Sequence, residues 1–140
     1  MGYYSTFSGS FKSFKEINAE QSIKIVELFK KRFGDYDEEV SVANLSSRKP
    51  EAYEGDIFFS PITNEIRPVS FHMKGYDIKD HVARIFEDIR HCEYLNVRFN
   101  GQIEVVGEDP DDLWAMTAID NHLYICKGRV VYDMPNGEYK

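Results

Sequence analysis

Cysteine, proline and tryptophan are all scarce in this chain, with two Cys, five Pro and one Trp among 140 residues. Cys92 and Cys126 are too few and too far apart for a disulfide framework or the paired spacing of a zinc site, so a reducing cytoplasm is the expected setting. No apolar run approaches the roughly 18 to 20 residues that cross a bilayer, and the opening residues lack the apolar core of a signal peptide. Neither a membrane span nor secretion by that route is expected. Basic residues are outnumbered, 17 Lys and Arg against 24 Asp and Glu for a net charge of −7. The densest basic run is Lys30-Lys31-Arg32, and nucleic-acid binding needs more clustered cations than that. Glycine-rich phosphate loops are missing altogether, which leaves nucleotide hydrolysis without a foothold.

What is plentiful is the aromatic ring. Ten Phe and nine Tyr, within a hydrophobic fraction of 42%, supply enough large side chains for one domain spanning 1–140 to build a core without disulfides or metal. The opening MGYYSTFSGS admits two readings. Gly2 and Thr6 satisfy the myristoylation pattern, while Tyr3, Ser5, Phe7, Gly9 and Phe11 alternate with Tyr4, Thr6, Ser8 and Ser10 as a strand with one buried face. The strand reading is preferred, because a single acyl chain without a nearby polybasic cluster anchors weakly. Tyr3 and Tyr4 then face opposite ways.

Two helices carry start and stop signals. In INAEQSIKIVELFKKRFG, Asn18 stands as N-cap with Gln21 completing a capping box, Ile17 and Ile23 flank that turn, Ile25, Val26, Phe29 and Phe33 recur at helical spacing, and Gly34 ends the helix. In YDIKDHVARIFEDIRHC, Asp77 is the expected cap, Asp80 suits the positive end of the helix dipole, and Ile78, Val82, Ile85, Phe86 and Ile89 form one apolar stripe. Between them, the polar stretch 41–55 with Pro50 and Gly55 predicts a surface loop, flanked by short strands near Val40–Val42 and at Asp56–Ser60. Glu65–Lys74 follows as a strand with Val69, Phe71 and Met73 on one side, and Pro68 predicts a bulge or edge early in it.

The last third predicts a β-meander. LNVRFNGQIEV alternates most cleanly, with Leu95, Val97, Phe99, Gly101, Ile103 and Val105 on one face. GEDPDD connects it to LWAMTAI, Asp120-Asn121 makes a two-residue hairpin turn to LYIC, and RVVYDM is a further strand before a frayed tail at 135–140. The fold class is therefore α+β, with two helices on one face of an antiparallel sheet and a ferredoxin-like β-α-β-β-α-β core extended by the meander. Fold alone implies no function.

Candidate sites are few. GEDPDDLW crowds Glu108, Asp109, Asp111 and Asp112 beside the only Trp. Hard cations favour such oxygen ligands, but the EF-hand spacing is absent, and a solvated connection whose like charges discourage edge pairing fits better. As an acidic patch flanked by Trp114, it is the best candidate for contacting a basic partner surface, with Tyr4 as a further exposed ring. His81 and His91, ten residues apart on one helix and about 80° out of phase, cannot act as an i, i+4 ligand pair and read as exposed helix residues. His72 and His122 have no local triad, and Cys92 and Cys126 read as buried structural thiols, because no basic cluster activates either. No catalytic residue, metal ligand or cofactor is assigned.

Taken together, GYYSTFSGSF, FNGQIEVVGEDPDDLW and DNHLYICKGRVVY resemble a group of small uncharacterised phage and bacterial proteins that share a Tyr-Tyr-Ser start and an F-x-G-x-I strand followed by G-E and D-L-W. No activity is established for that group. If the phage association holds, a small acidic protein without a catalytic set resembles the inhibitors with which phages block host defence or metabolic proteins. Two readings follow. One is a non-enzymatic protein-binding module, an inhibitor of a host protein, acting through Glu108, Asp109, Asp111, Asp112, Trp114 and Tyr4. The other is a small-ligand or metal-binding protein, or a small enzyme, using the acidic turn with His72 and His122. Exposed sheet edges leave room for a homodimer.

Overall fold

A computed structural model describes residues 2–36, 53–129 and 137–138. The expected strand near Val40–Val42, most of the expected 41–55 loop, the expected strand at 129–134 beyond Arg129 and most of the tail at 135–140 lie outside those residues. Alternation in the opening stretch does make a strand, β1 (Ser5–Ser13), with Ser5, Phe7 and Phe11 buried on one side. The helix α1 (Ala19–Phe33) starts at the expected capping box: Asn18 Oδ1 accepts from the Gln21 N–H at 2.8 Å and Gln21 Oε1 accepts from the Asn18 N–H at 3.0 Å. Gly34 ends it with φ 107°, donating its N–H to the Lys30 carbonyl. Of the two isoleucines that flank this turn, Ile17 is buried and Ile23 is exposed.

The chain then supplies β2 (Ile57–Ser60), β3 (Glu65–Pro68), β4 (His72–Met73), α2 (Ile78–His91), β5 (Phe99–Val106), β6 (Leu113–Ile119) and β7 (His122–Lys127). The strand expected at Glu65–Lys74 is interrupted. Pro68 has no N–H to continue the ladder, and the chain resumes pairing only at β4, with the Phe71 carbonyl accepting from the Phe7 N–H at 2.7 Å. The break changes the phase of the side chains, so Val69 is buried while Phe71 is exposed, contrary to the single face expected for them. On α2 the apolar stripe is buried as its spacing predicts, but Asp77 makes no side-chain cap bond. His81, expected to be an exposed helix residue, is half-buried against Phe33, with ring centroids 5.0 Å apart, and its Nδ1 accepts from the Asp56 N–H at 3.2 Å.

Among the described residues, seven antiparallel strands form one sheet in the order β2-β3-β1-β5-β6-β7, with β4 alongside β1 next to β3. The first strand in sequence therefore lies in the middle, paired with β5 from Thr6↔Val106 to Ser13↔Phe99. Both helices bury their stripes in one cluster with the same face of the sheet, where Phe11 meets Phe86 and Phe59 meets both Phe29 and Phe99. The loop expected at 41–55 is not wholly at the surface, because Tyr53 and Gly55 are buried. Tyr53 packs on Phe33 and Tyr36 and donates its hydroxyl to the Ile57 carbonyl at 2.7 Å.

The meander follows its sequence pattern closely. Leu95 and Val97 are buried before β5 begins, because Tyr94 and Asn96 take positive φ, 65° and 50°, which a ladder strand does not allow. Asp120 and Asn121, both with positive φ, make the tight turn that their residue types favour. Register places Trp114, Met116 and Ala118 opposite Val105, Ile103 and Gly101 on the helix side. Leu113, Ala115, Thr117 and Ile119 face the open side with His122, Tyr124 and Cys126. That register makes Cys126 exposed rather than buried, with its Sγ 3.7 Å from Thr117 Oγ1.

Candidate functional site

The connection between β5 and β6 is a tight, self-bonded turn. The Gly107 N–H donates to the Asp112 carbonyl at 2.8 Å, the Asp112 N–H to the Asp109 carbonyl at 3.0 Å and the Leu113 N–H to the Asp111 carbonyl at 3.0 Å. The opening stretch braces this turn from across the sheet. Tyr3 Oη donates to Asp112 Oδ2 at 2.6 Å and accepts from the Asp109 N–H at 3.0 Å. A β-carbon at position 107 would stand 2.1 Å from Asp112 Oδ2 and 2.3 Å from Tyr3 Oη, so only glycine lets these groups close together. Tyr3 is in turn held by its own N–H, which donates to Tyr76 Oη at 2.8 Å.

This geometry divides the acidic residues by role. Asp112 is half-buried and engaged with Tyr3, whereas Glu108, Asp109 and Asp111 are exposed and no cation among the described residues pairs with them. The Asp109 N–H lowers the Tyr3 phenol pKa. The Asp112 carboxylate, partial desolvation and the two nearby acidic charges outweigh it, and the phenol is held above its ordinary 10.0. Around neutral pH the phenol therefore keeps the proton that it gives to Asp112.

Trp114, expected to flank the acidic patch, and Tyr4, expected as a further exposed ring, do not share a surface. Trp114 is half-buried on the helix side, where Lys79 Nζ lies 5.2 Å over its ring. Tyr4, 38% exposed, stacks on His72 with ring centroids 5.2 Å apart and planes 13° apart, and Lys74 Nζ stands 5.7 Å from its ring. His72 pairs with Thr6, which is on the open side of β1. What adjoins the turn on that open side is the Val106–Leu113 pair, with Val106 exposed.

His72 and His122 cannot act together, since one pairs with the start of β1 and the other follows the hairpin turn at the opposite end of the sheet. Among the described residues no three His, Cys, Asp or Glu side chains gather to hold a metal ion. The residue that sequence reasoning passed over is Tyr3. Its alternation with Phe7 and Phe11 was readable, but its partner lies 109 residues away and no local pattern announces it. Comparison with known proteins finds no match: no family model, no curated protein and no solved structure aligns with this chain.

Proposed function

We propose that this protein is a non-enzymatic binding module that takes a basic protein surface on its acidic turn. The observation that carries this reading is the set of three exposed carboxylates, Glu108, Asp109 and Asp111, held on a braced turn with no paired cation among the described residues. A fixed cluster of uncompensated charge attracts a complementary surface and speeds its approach, and holding the turn in advance removes part of the ordering cost of association. Val106 and Leu113, on the open sheet face beside the turn, offer the apolar contact that such charges surround.

In this reading the partner meets the protein in a reducing cytoplasm, consistent with the two unpaired thiols Cys92 and Cys126. The likeness to small phage proteins makes a host protein the partner and inhibition the outcome. The fold belongs to the same proposal. Taking β3 and β4 as one interrupted strand gives the ferredoxin-like succession β-α-β-β-α-β, and the order β2-β3-β1-β5 supports it.

The test is affinity capture from host lysate with the intact protein and with an Asp109→Lys, Asp111→Lys variant. Asp112 is spared because it holds Tyr3. A single partner that is retained by the intact protein, lost by the variant and weakened by added salt is the expected result. Undiminished capture by the variant removes the acidic turn from the interface.

A further inference from the structure

The end of the sheet away from the acidic turn holds a different group of residues. Thr6 and Ser13 mark the two ends of the β1–β5 pairing, roughly 23 Å apart at ~3.3 Å per residue. Phe14 follows directly on β1 and is 90% exposed. It borders a groove of about 280 Å³ with Lys15, Asn96, Arg98, Asn100 and the acidic Asp120, and a second hollow of about 240 Å³ adjoins it at Lys12, Glu16 and Asn64. Arg98 and Lys15 are exposed and have no carboxylate partner among the described residues. One wall is fixed, because the Asn100 side-chain amide donates to Asp120 Oδ1 at 3.2 Å and accepts from the Asp120 N–H at 3.0 Å.

Backbone conformation singles out the same end. Of the five non-glycine positions with positive φ among the described residues, Asn64, Asn96 and Asp120 line these two hollows, while Tyr94 and Asn121 lie outside their linings. Asn and Asp tolerate that conformation, whereas Tyr94 does so at a cost. Backbone of this kind concentrates where a ligand is clamped.

We propose that this groove binds a small ligand carrying one anionic group and one planar ring, the chemistry of a nucleoside monophosphate. Arg98 presents a planar fork of N–H donors that matches a phosphate, and Lys15 adds a second cation. The Phe14 ring supplies a stacking platform that tolerates any base. Asn96 offers both a donor and an acceptor to the ligand's edge. The groove's volume is near the lower limit for small-molecule sites, roughly 300 Å³, which suits a mononucleotide. A longer nucleic acid would bring further phosphates against a chain of net charge −7 without cations to meet them. This site is separate from the acidic turn, and its failure would leave the partner-binding reading untouched.

Amide chemical-shift titration of the full 140-residue chain tests the assignment. The ligands are AMP, GMP, CMP and UMP, with inorganic phosphate and adenosine as the two halves alone. The expected result is a saturable shift confined to the stretches 12–15 and 96–100, with dissociation constants at or below about 1 mM for the mononucleotides and at least about tenfold weaker binding of either half. Phe14→Ala and Arg98→Glu should each weaken binding about tenfold or more. Both side chains are exposed, so the variants keep the native amide spectrum. The proposal is overturned by the absence of a saturable shift with all four mononucleotides, by an Arg98→Glu variant that binds like the intact protein, or by phosphate alone binding as tightly as the mononucleotides.

Discussion

One missing β-carbon governs how closely the two central strands run. Gly9 has φ 109°, and a β-carbon there would stand 2.2 Å from the Gln102 carbonyl oxygen of the facing strand. Two penalties therefore fall on Gly9→Ala, a backbone angle that L side chains rarely adopt and a collision with backbone that cannot swing aside. The expected loss is about 1–3 kcal/mol in urea unfolding, a large share of a domain's stability. An unchanged midpoint would mean that β1 and β5 separate easily. Sequence reading placed Gly9 on the inward side of its strand, but the close approach itself depends on a partner strand that no local pattern identifies.

Among the elements, the two helices make a controlled comparison. Both begin at a residue type that favours capping, yet only Asn18 makes the side-chain bond, while Asp77 does not. Asn18→Ala should therefore cost about 1 kcal/mol and Asp77→Ala should fall within roughly half that, both read as shifts in thermal or denaturant midpoint. Equal losses would show that the cap geometry is not what matters. Helices and meander strands were legible because a stripe or an alternation is a local property, as with Ile78, Val82, Ile85, Phe86 and Ile89. A bulge or edge at Pro68 was anticipated, but neither the end of the strand there nor its consequence for Phe71 was, since phase after a break depends on how the chain rejoins its neighbour. Cys126 and His81 were misjudged for a related reason. Each one's exposure is set by which side of the sheet or which helix its neighbours occupy.

At the scale of the whole molecule, Glu65 links two strands and gives the fold a pH dependence. Ser10 Oγ donates to its Oε2 at 2.5 Å, and Arg67 and Lys12 stand 3.6 and 3.5 Å from its carboxylate oxygens. Burial raises the carboxyl pKa. Hydrogen bonds from Ser10 and Thr63 and the two cations outweigh burial and hold it below the ordinary 4.5. The unfolded chain thus takes up this proton at a higher pH than the folded one. The stabilisation is fully present above 4.5 and is lost as pH falls through the folded value. Urea midpoints measured at about pH 6 and about pH 3 should fall further for the intact protein than for Glu65→Gln, and parallel falls would count against the linkage. The acidic turn was equally visible as composition, yet its division into a structural Asp112 and three free carboxylates came only from the tertiary fold, through Tyr3. The placing of β1 at the centre of the sheet also has a consequence in time. A chain synthesised from its N-terminus makes β1 first, but β1 pairs with β3 and β4 on one side and with Phe99–Val106 on the other. While the ribosome is still working through the middle of the message, Phe7 and Phe11 have no completed sheet to join, and the Tyr3 brace cannot close before Asp109 and Asp112 have been translated.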